Sequence, residues 1–442
     1  MDAKLEKIKE TVKEQDLKFL YLLFTDIDGV TKKVTIKIDR LEEAINYGIW
    51  FDGSSIEGFA RIYESDMLLI PDIDTFNVLP WSFDGGRAAQ LICDIYTPDE
   101  QPFDGDPRGV LKRIMQKAAE LGYQYMVGPE IEFFLLDQSM QPKLVPHDNK
   151  SYFDLAIQSR AVKICQDTIT SLKEMNITCE SYHHEVSAGQ HEIDLRYDRA
   201  VRIADSVITL KHALRTHASG TGLKVTFMPK PIFGMNGSGM HVHQSFASLE
   251  GENMFHSEDD AYGLSDLAYH FLAGQLKHAR ALAAIVDPTV NSYKRLVPGF
   301  EAPVYICWGR VNRSALIRVP KVTKSRKAVG TRLELRCPDP SANPYLAFAA
   351  MLAAGLDGVQ NESKPREAVE ENVYDFNDAK LAELQIETLP TTLNEAVQAF
   401  KNDDVLTSAL GEHIKEYFIR AKNQEWNEFL RQVTRWEVER YL

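Results

Sequence analysis

Apolar positions first recur with helical spacing: Leu5, Ile8 and Val12 share one face of a helix predicted over residues 4–15. The spacing then changes to alternation. FLYLLFTDIDGVTKKVTIKI, within residues 17–38, predicts two strands joined by a hairpin turn at the DxDG. Further strands are predicted at 67–70 and 88–96. Residues 97–109, TPDEQPFDGDPRG, set three Pro and two Gly among acidic residues and predict a linker. The predicted boundary there separates a small β-rich unit, residues 1–103, from a long remainder, residues 104–442. In the remainder, helical periods at 110–121, 160–175, 198–218, 264–285 and 343–360 are mixed with short strands. The period continues over 406–437, with Trp426 and Trp436 as expected packing residues. Strands and helices do not alternate in βαβ order, so the predicted class is α+β rather than a doubly wound sheet.

Composition adds exclusions. A chain of 442 residues exceeds what one hydrophobic core usually spans, which agrees with two domains. The net charge of −14 and pI near 5.4 argue against nucleic acid as a partner, because phosphate-backbone binding needs concentrated positive charge. No apolar run reaches the roughly 18 residues of a membrane helix, and MDAKLEKIKE lacks the apolar core of a secretory signal. Five cysteines, widely spaced and without a CxxC pair, fit a reducing cytoplasm rather than a disulfide scaffold or zinc ribbon.

Four short segments gather ionisable groups at two-residue spacing, which on a strand puts them on one face. GPEIEFFLL carries Glu130 and Glu132 ahead of an apolar run, and in HHEVSAGQHEID, Glu185 and Glu192 flank a turn-like SAGQ. NGSGMHVHQS carries His241 and His243, and in RLELR, Arg332 and Arg336 bracket Glu334. Any one of these alone reads as a solvated strand face, and an exposed RxExR ladder contributes little. Four in one chain, several against apolar or Gly-rich sequence, point instead to buried carboxylates. Such groups repel and desolvate one another unless a cation holds them. Glu-rich ligands with one or two His suit Mg²⁺ or Mn²⁺ better than zinc. The number of carboxylates predicts more than one ion, the arrangement that clamps a phosphoryl transfer. Basic residues concentrate over 294–336, including Lys294, Arg295, Arg310, Arg313, Arg318, Arg332 and Arg336, a local inversion of sign in an acidic chain. Part of it, KVTKSRK, reads as a solvated basic loop, whereas the arginines of NRSALIR and RLELR lie in apolar strands. No GxxxxGK[ST] occurs and GSGMHV does not complete GxGxxG, so any ATP is held by metals and arginines.

Taken together these segments resemble type I glutamine synthetase over essentially the whole chain. The likeness runs through FDGSSIEGF, ESDM, GDPR, GPEIEFF, HHEV with QHEID, FMPKPIFGMNGSGMH, NSYKRLVPGFEAPVY, NRSALIR, RLELRCPDPSANPYLAFA and GEH. NGSGMH followed by NSYKRLVPG is its most specific part. The resemblance implies a small β-grasp-like N-terminal domain and a larger catalytic domain, whose curved antiparallel sheet is flanked by helices. It implies that Glu132, Glu185 and Glu192 hold one metal and Glu130, His241 and Glu334 another. Arg295 would grip the glutamate α-carboxylate, with Asn236 and Gly237 nearby and Arg336 near the γ-carboxyl. Glu180, His243 and Ser245 match ATP-site positions; Arg313, Arg318 and Arg332 match residues that meet the phosphates. Asp52 would deprotonate ammonium, with Tyr152 beside it, and Glu301 would close over the site on a flap. The implied reaction forms glutamine from L-glutamate, ammonium and ATP through γ-glutamyl phosphate, with ADP and phosphate as products. Family members assemble as dodecamers of two stacked hexameric rings, with each site shared between subunits.

Departures bear on subclass. The segment between Leu136 and Tyr152 lacks the insertion of the adenylylated subclass, so Tyr374 in NVYDF reads as an ordinary surface tyrosine. Arg61 matches an arginine tied to glutamine feedback in the other subclass. Lys150 and Ser151 stand where relatives commonly carry two glycines, and the basic loop from Lys321 to Thr331 is longer than usual. The regulators, among them 2-oxoglutarate and PII-like proteins, are left open. Two other readings share the segments: a ligase of the same fold acting on a larger amine, and a non-catalytic scaffold. Asp52, Tyr152 and Glu301 argue against the first, and the complete set of carboxylates against the second.

Overall fold

The computed structural model describes residues 2–54, 56, 58, 66–82, 85–140, 142–155 and 159–442. Arg61 lies outside the described residues. The first part of the chain builds a six-stranded sheet from β1 (Phe19–Thr25), β2 (Thr31–Lys37), β3 (Ile49–Asp52), β4 (Asp66–Pro71), β5 (Asn77–Val78) and β6 (Ala88–Tyr96). Its order is β2-β1-β6-β4-β3, with β5 on β6. β1 runs parallel to β6 and antiparallel to β2. Between β1 and β2 the chain turns at Gly29, whose φ of +79° is open to glycine at no steric cost. A Cβ there would also stand 2.9 Å from the Asn343 Cα, so the turn is pressed against the second half of the molecule.

The second sheet contains β7 (Gln124–Asp137), β8 (Cys179–His184), β9 (Gln190–Leu195), β10 (Asp198–Arg199), β11 (Leu223–Thr226), β12 (Val242–Ala247), β13 (Tyr305–Gly309), β14 (Ala315–Arg318) and β15 (Leu333–Leu335). Its order is β13-β14-β15-β12-β7-β9-β8, with β10 and β11 on β7. All its pairs are antiparallel except β13 with β14, which run parallel and so depart from the expected antiparallel sheet. Helices pack around it. Pro344–Gln360 is apolar all round and buried along nearly its whole length, as its sequence PYLAFAAMLAAGLDGVQ requires.

The hydrophobic residues form two main clusters. One is built from Leu5 through Phe103, the other from Val110 onward, joined by Ile27 from the β1–β2 turn. Between them Arg108, 3% exposed at its side chain, meets Asp72 and Asp94 of the first half and Asp205 of the second, at 2.7–2.9 Å. The Pro- and Gly-rich stretch expected as a linker is ordered at both ends. Tyr96 and Pro102 form a β-bridge, Phe103 is buried, and Asp106 caps the helix Pro107–Glu120. Two helical periods prove to be broken. The predicted 264–285 divides into Asp266–Lys277 and Ala279–Val286, and 406–437 divides into Asp404–Leu410, Glu412–Leu430 and Arg435–Tyr441. Trp426 packs against the core, whereas Trp436 is 64% exposed and does not.

Candidate active site

The strand registers assemble the predicted site. Glu130 and Glu132 project from β7 on one face; β9 sets Glu192 opposite Glu132, β8 sets His183 opposite Glu192, and β15 sets Glu334 opposite His243. The result is a cavity of about 800 Å³ lined by Glu130, Glu132, Glu185, Glu192, His241 and Glu334, together with Tyr152, Asn236, Gly237, Arg295, Glu301, Arg313, Arg318 and Arg336. A second cavity of about 430 Å³ is lined by Glu180, His243, Ser245, Arg332 and part of the 321–331 loop. Both include Glu130 and Asp194, so the two adjoin.

Within the larger cavity, Glu130, His241 and Glu334 bring ligand atoms within 4.8 Å of one another, and so do His183, Glu185 and Glu192. Glu132 lies beside the second group, its Oε2 accepting from Gln190 Nε2 at 2.9 Å and from the Gly239 N–H at 3.0 Å. The electrostatics of the groups differ. Burial pushes Glu132 up to about 8, reinforced by the charge of Glu185. Glu192 is pushed up to about 12 by burial and by Glu132 and Glu130. Burial also works against ionisation of Glu130, but hydrogen bonds from His241 and His243 outweigh it and hold the carboxyl well below its ordinary range. Carboxylates driven this high by one another become stable as anions when a cation neutralises them. The mainly oxygen donor set, with His241 and His183, fits Mg²⁺ or Mn²⁺.

Cationic side chains line the same cavity. Arg295 is 4% exposed, and its guanidinium is fixed by the carbonyls of Arg336 (3.1 Å) and Cys337. Gly237 passes so close that a Cβ would lie 2.3 Å from the Pro229 carbonyl and 2.8 Å from Arg295 Cγ. Arg336 is buried and donates to the Arg313 carbonyl, while Arg313 itself is exposed to the cavity from the return loop between β13 and β14. Arg318, expected at the nucleotide phosphates, pairs with Glu334 and lines the larger cavity. Arg332 donates to His243 Nδ1 at 3.2 Å in the smaller one. Glu301 has φ +58°, a conformation that stores strain in a non-glycine residue, and its carboxylate lies 3.4 Å from Asn236 Nδ2.

Tyr374 and His183 depart from the sequence reading, and Asp52 lies apart from the two cavities. Asp52 ends β3, is exposed, and lines neither cavity; Ser54 hydrogen bonds hold its carboxyl below the ordinary value. Tyr374 is not a surface residue. It is half-buried, lines the larger cavity, and donates its hydroxyl to the Ala302 carbonyl next to Glu301. His183 was passed over, although HHE at the start of a ligand segment signals it; its Nε2 lies 3.1 Å from Glu192, and its ring meets Tyr152 edge-on. Among the described residues, no helix is long and apolar enough to cross a membrane.

With this geometry in place, comparison with known proteins gives a consistent result. The family description "Glutamine synthetase, catalytic domain" matches residues 104–441, and "Glutamine synthetase, beta-Grasp domain" matches residues 16–98. The glutamine synthetase of Thermotoga maritima is 52% identical over 440 residues, covering 99% of each chain. That of Halobacterium salinarum is 48% identical over 438 residues, covering 98% of this chain and 96% of the other. A solved structure titled a GmaS/ADP complex superimposes with a TM-score of 0.88 at 32% identity, covering 98% of each chain.

Proposed function

The chain belongs to the glutamine synthetase family, an ATP-dependent ligase that joins ammonium to the γ-carboxylate of L-glutamate, and from that premise we propose how its own residues divide the work. The observation that carries the assignment is one continuous pair of cavities. Clustered carboxylates and arginines line the larger one together, and the two spaces meet at Glu130. The boundary between the β-grasp and catalytic domains is taken near residue 103.

Arg295 binds the glutamate α-carboxylate, since a guanidinium already fixed by two carbonyls loses little freedom on doing so. Asn236 and Gly237 frame the same end. Arg336 and Arg313 face the γ-carboxylate, and Arg313, Arg318 and Arg332 neutralise phosphate oxygens as negative charge develops on them. The smaller cavity receives the nucleotide against Glu180, His243 and Ser245. Two divalent ions, Mg²⁺ or Mn²⁺, held by Glu132, Glu185 and Glu192 and by Glu130, His241 and Glu334, would supply charge neutralisation for in-line phosphoryl transfer. Tyr152 borders the ammonium site. Asp52 takes the proton that ammonium must lose before it can attack the acyl phosphate. Glu301 closes over the site and excludes water that would hydrolyse the intermediate.

Since Asp52 lines neither cavity, it is supplied by a neighbouring subunit, in the double hexameric ring that the family resemblance implies. Cytoplasmic operation and direct glutamine feedback through Arg61 belong to the same reading. Phosphate release from ATP and glutamate tests it, comparing ammonium with a panel of alkylamines and polyamines. Ammonium should give the highest kcat/KM, and preference for a larger amine would overturn the assignment of Asp52, Tyr152 and Glu301. Arg61→Ala should keep most activity and be less sensitive to glutamine than wild type; equal inhibition curves would remove Arg61 from regulation.

A further inference from the structure

The hairpin that carries Glu185 and Glu192 has a second face. Side chains alternate along a strand, and the β8–β9 register pairs His183 with Glu192 but His184 with His191. His183 and Glu192 therefore look into the active-site cavity, while His184 and His191 look away from it. Against that back face lies the segment after Pro146, anchored by the Leu136–Pro146 bridge and by the His147 N–H donating to the Leu135 carbonyl at 3.2 Å. It delivers His147 and Asp148.

Three donor atoms converge there, from His147, Asp148 and His191. His147 Nε2 is 2.8 Å from His191 Nε2, and Asp148 Oδ2 is 3.4 Å from His147 Nε2 and 3.3 Å from His184 Nε2. The His147 and His184 side chains are 4% and 3% exposed, His191 is 1% exposed, and the Asp148 side chain is 16% exposed. Two further observations point to a ligand. The Asp148 carboxylate is oriented by the Gly189 N–H, which donates to Oδ1 at 2.8 Å, yet Oδ2 is buried and accepts no hydrogen bond. Beside the group, His184 places Nδ1 2.7 Å from the Glu185 carbonyl and Nε2 3.4 Å from Asp148 Oδ1, acceptors both, so its ring orients the Asp148 carboxylate instead of offering a lone pair. Metal–nitrogen bonds of about 2.0–2.1 Å in a tetrahedron separate the ligand atoms by about 3.3 Å; Asp148 Oδ2 stands 3.4 Å from His147 Nε2, and the two imidazoles, 2.8 Å apart, would part by about half an ångström to admit the ion.

We propose that His147, Asp148 and His191 hold one structural Zn²⁺ ion, with His184 orienting Asp148, and that the ion fastens the 146–154 segment to the back of the β8–β9 hairpin. Two imidazoles and one carboxylate are a borderline donor set that suits Zn²⁺, unlike the oxygen-rich groups of the active site. None of the three lines the active-site cavity and all are largely buried, which makes the site structural rather than catalytic. Its consequence is mechanical. The hairpin presents Glu185 and Glu192, the fastened segment presents Tyr152, and one ion would hold the two in register. This goes beyond the ligase assignment and stands or falls separately from it.

The test uses the full chain, stripped with chelator, reloaded with Zn²⁺ in excess Mg²⁺, and gel-filtered before its metal content is measured by mass spectrometry. Wild type and Glu334→Ala should each retain one zinc per subunit, and His147→Ala should retain less than a tenth of that. Substitution with Co²⁺ should give wild type the intense visible absorption of a tetrahedral site, and this reading does not depend on any variant folding. Three outcomes overturn the proposal: no zinc retained by wild type, zinc lost with Glu334 but kept without His147, or only weak octahedral cobalt absorption.

Discussion

Glu132 shows how far single side chains depend on charge they do not themselves provide. Its carboxyl is buried, pushed up to about 8, and already uses one oxygen on Gln190 and the Gly239 N–H. Glu132→Ala should fold, bind divalent ions poorly, and lose more than about a hundredfold in kcat, exceeding the typical effect of losing a mere outer-shell partner. Because a repelling carboxylate is removed, the metal-free variant should melt no lower than metal-free wild type. Near-normal turnover would sink the ligand assignment. Gly237 acts by having no side chain. Gly237→Ala would push the Arg295 stem, and a displacement on the order of 1 Å at a positioning residue can cost about a hundredfold. The loss should appear mainly as a raised KM for glutamate, with KM for ATP little changed; the opposite split would detach Gly237 from the glutamate end. The charged site residues were legible in the sequence because the two-residue spacing of ExE, HxH and RxExR survives folding on strands. Tyr374 was not, because what makes it a site residue is a contact with Ala302, 72 positions away.

At the scale of elements, periodicity located every long helix but not its breaks. A period of 3.6 continues through residues 264–285, and nothing local marks the interruption at His278. The cause is tertiary: His278 turns out of the helix to place Nδ1 2.6 Å from Asp403 and Nε2 3.0 Å from Asp357. Gly411, with φ +89°, marks the other break openly, yet a reading by period alone runs through it. The His278 junction also gives a pH dependence. Burial opposes its protonation, but bonds to Asp403 and Asp357 outweigh that and raise its pKa; both aspartates are lowered in turn, against their own burial. A raised histidine contributes stability below its unfolded value of about 6.5 and loses it as pH rises through the folded one. The lowered aspartates contribute above about pH 4 and lose it as pH falls through their folded values. The network is therefore strongest between roughly pH 4 and 6.5. His278→Gln should lower Tm more at pH 6 than at pH 9, measured by calorimetry; equal losses at both would exclude a charged His278.

For the whole molecule, the two halves were legible from the 97–109 stretch, but their relation was not. A Pro- and Gly-rich segment reads as flexible, whereas Arg108 near its end is buried among Asp72, Asp94 and Asp205 and ties the halves together. Such a lock would hold the small domain, and Asp52 with it, away from the cavity of its own chain. Truncating such a buried charge network typically costs about 3–5 kcal/mol, so the domains do not separate cheaply. The role proposed for Asp52 then calls for a neighbouring subunit, which complementation can test. Asp52→Ala and Glu185→Ala should each be nearly inactive when expressed alone. Co-expressed in equal amounts, random mixing in a head-to-tail ring should leave about a quarter of the interfaces with an intact Asp52 facing an intact Glu185. Activity should recover to about that share of wild type, since each such interface is a whole site. Sites contained within one chain would show no recovery, because every chain then carries one lesion. Mixed rings demonstrated by mass spectrometry and still inactive would therefore refute the shared site, and would require Asp52 to reach its own cavity despite the Arg108 lock.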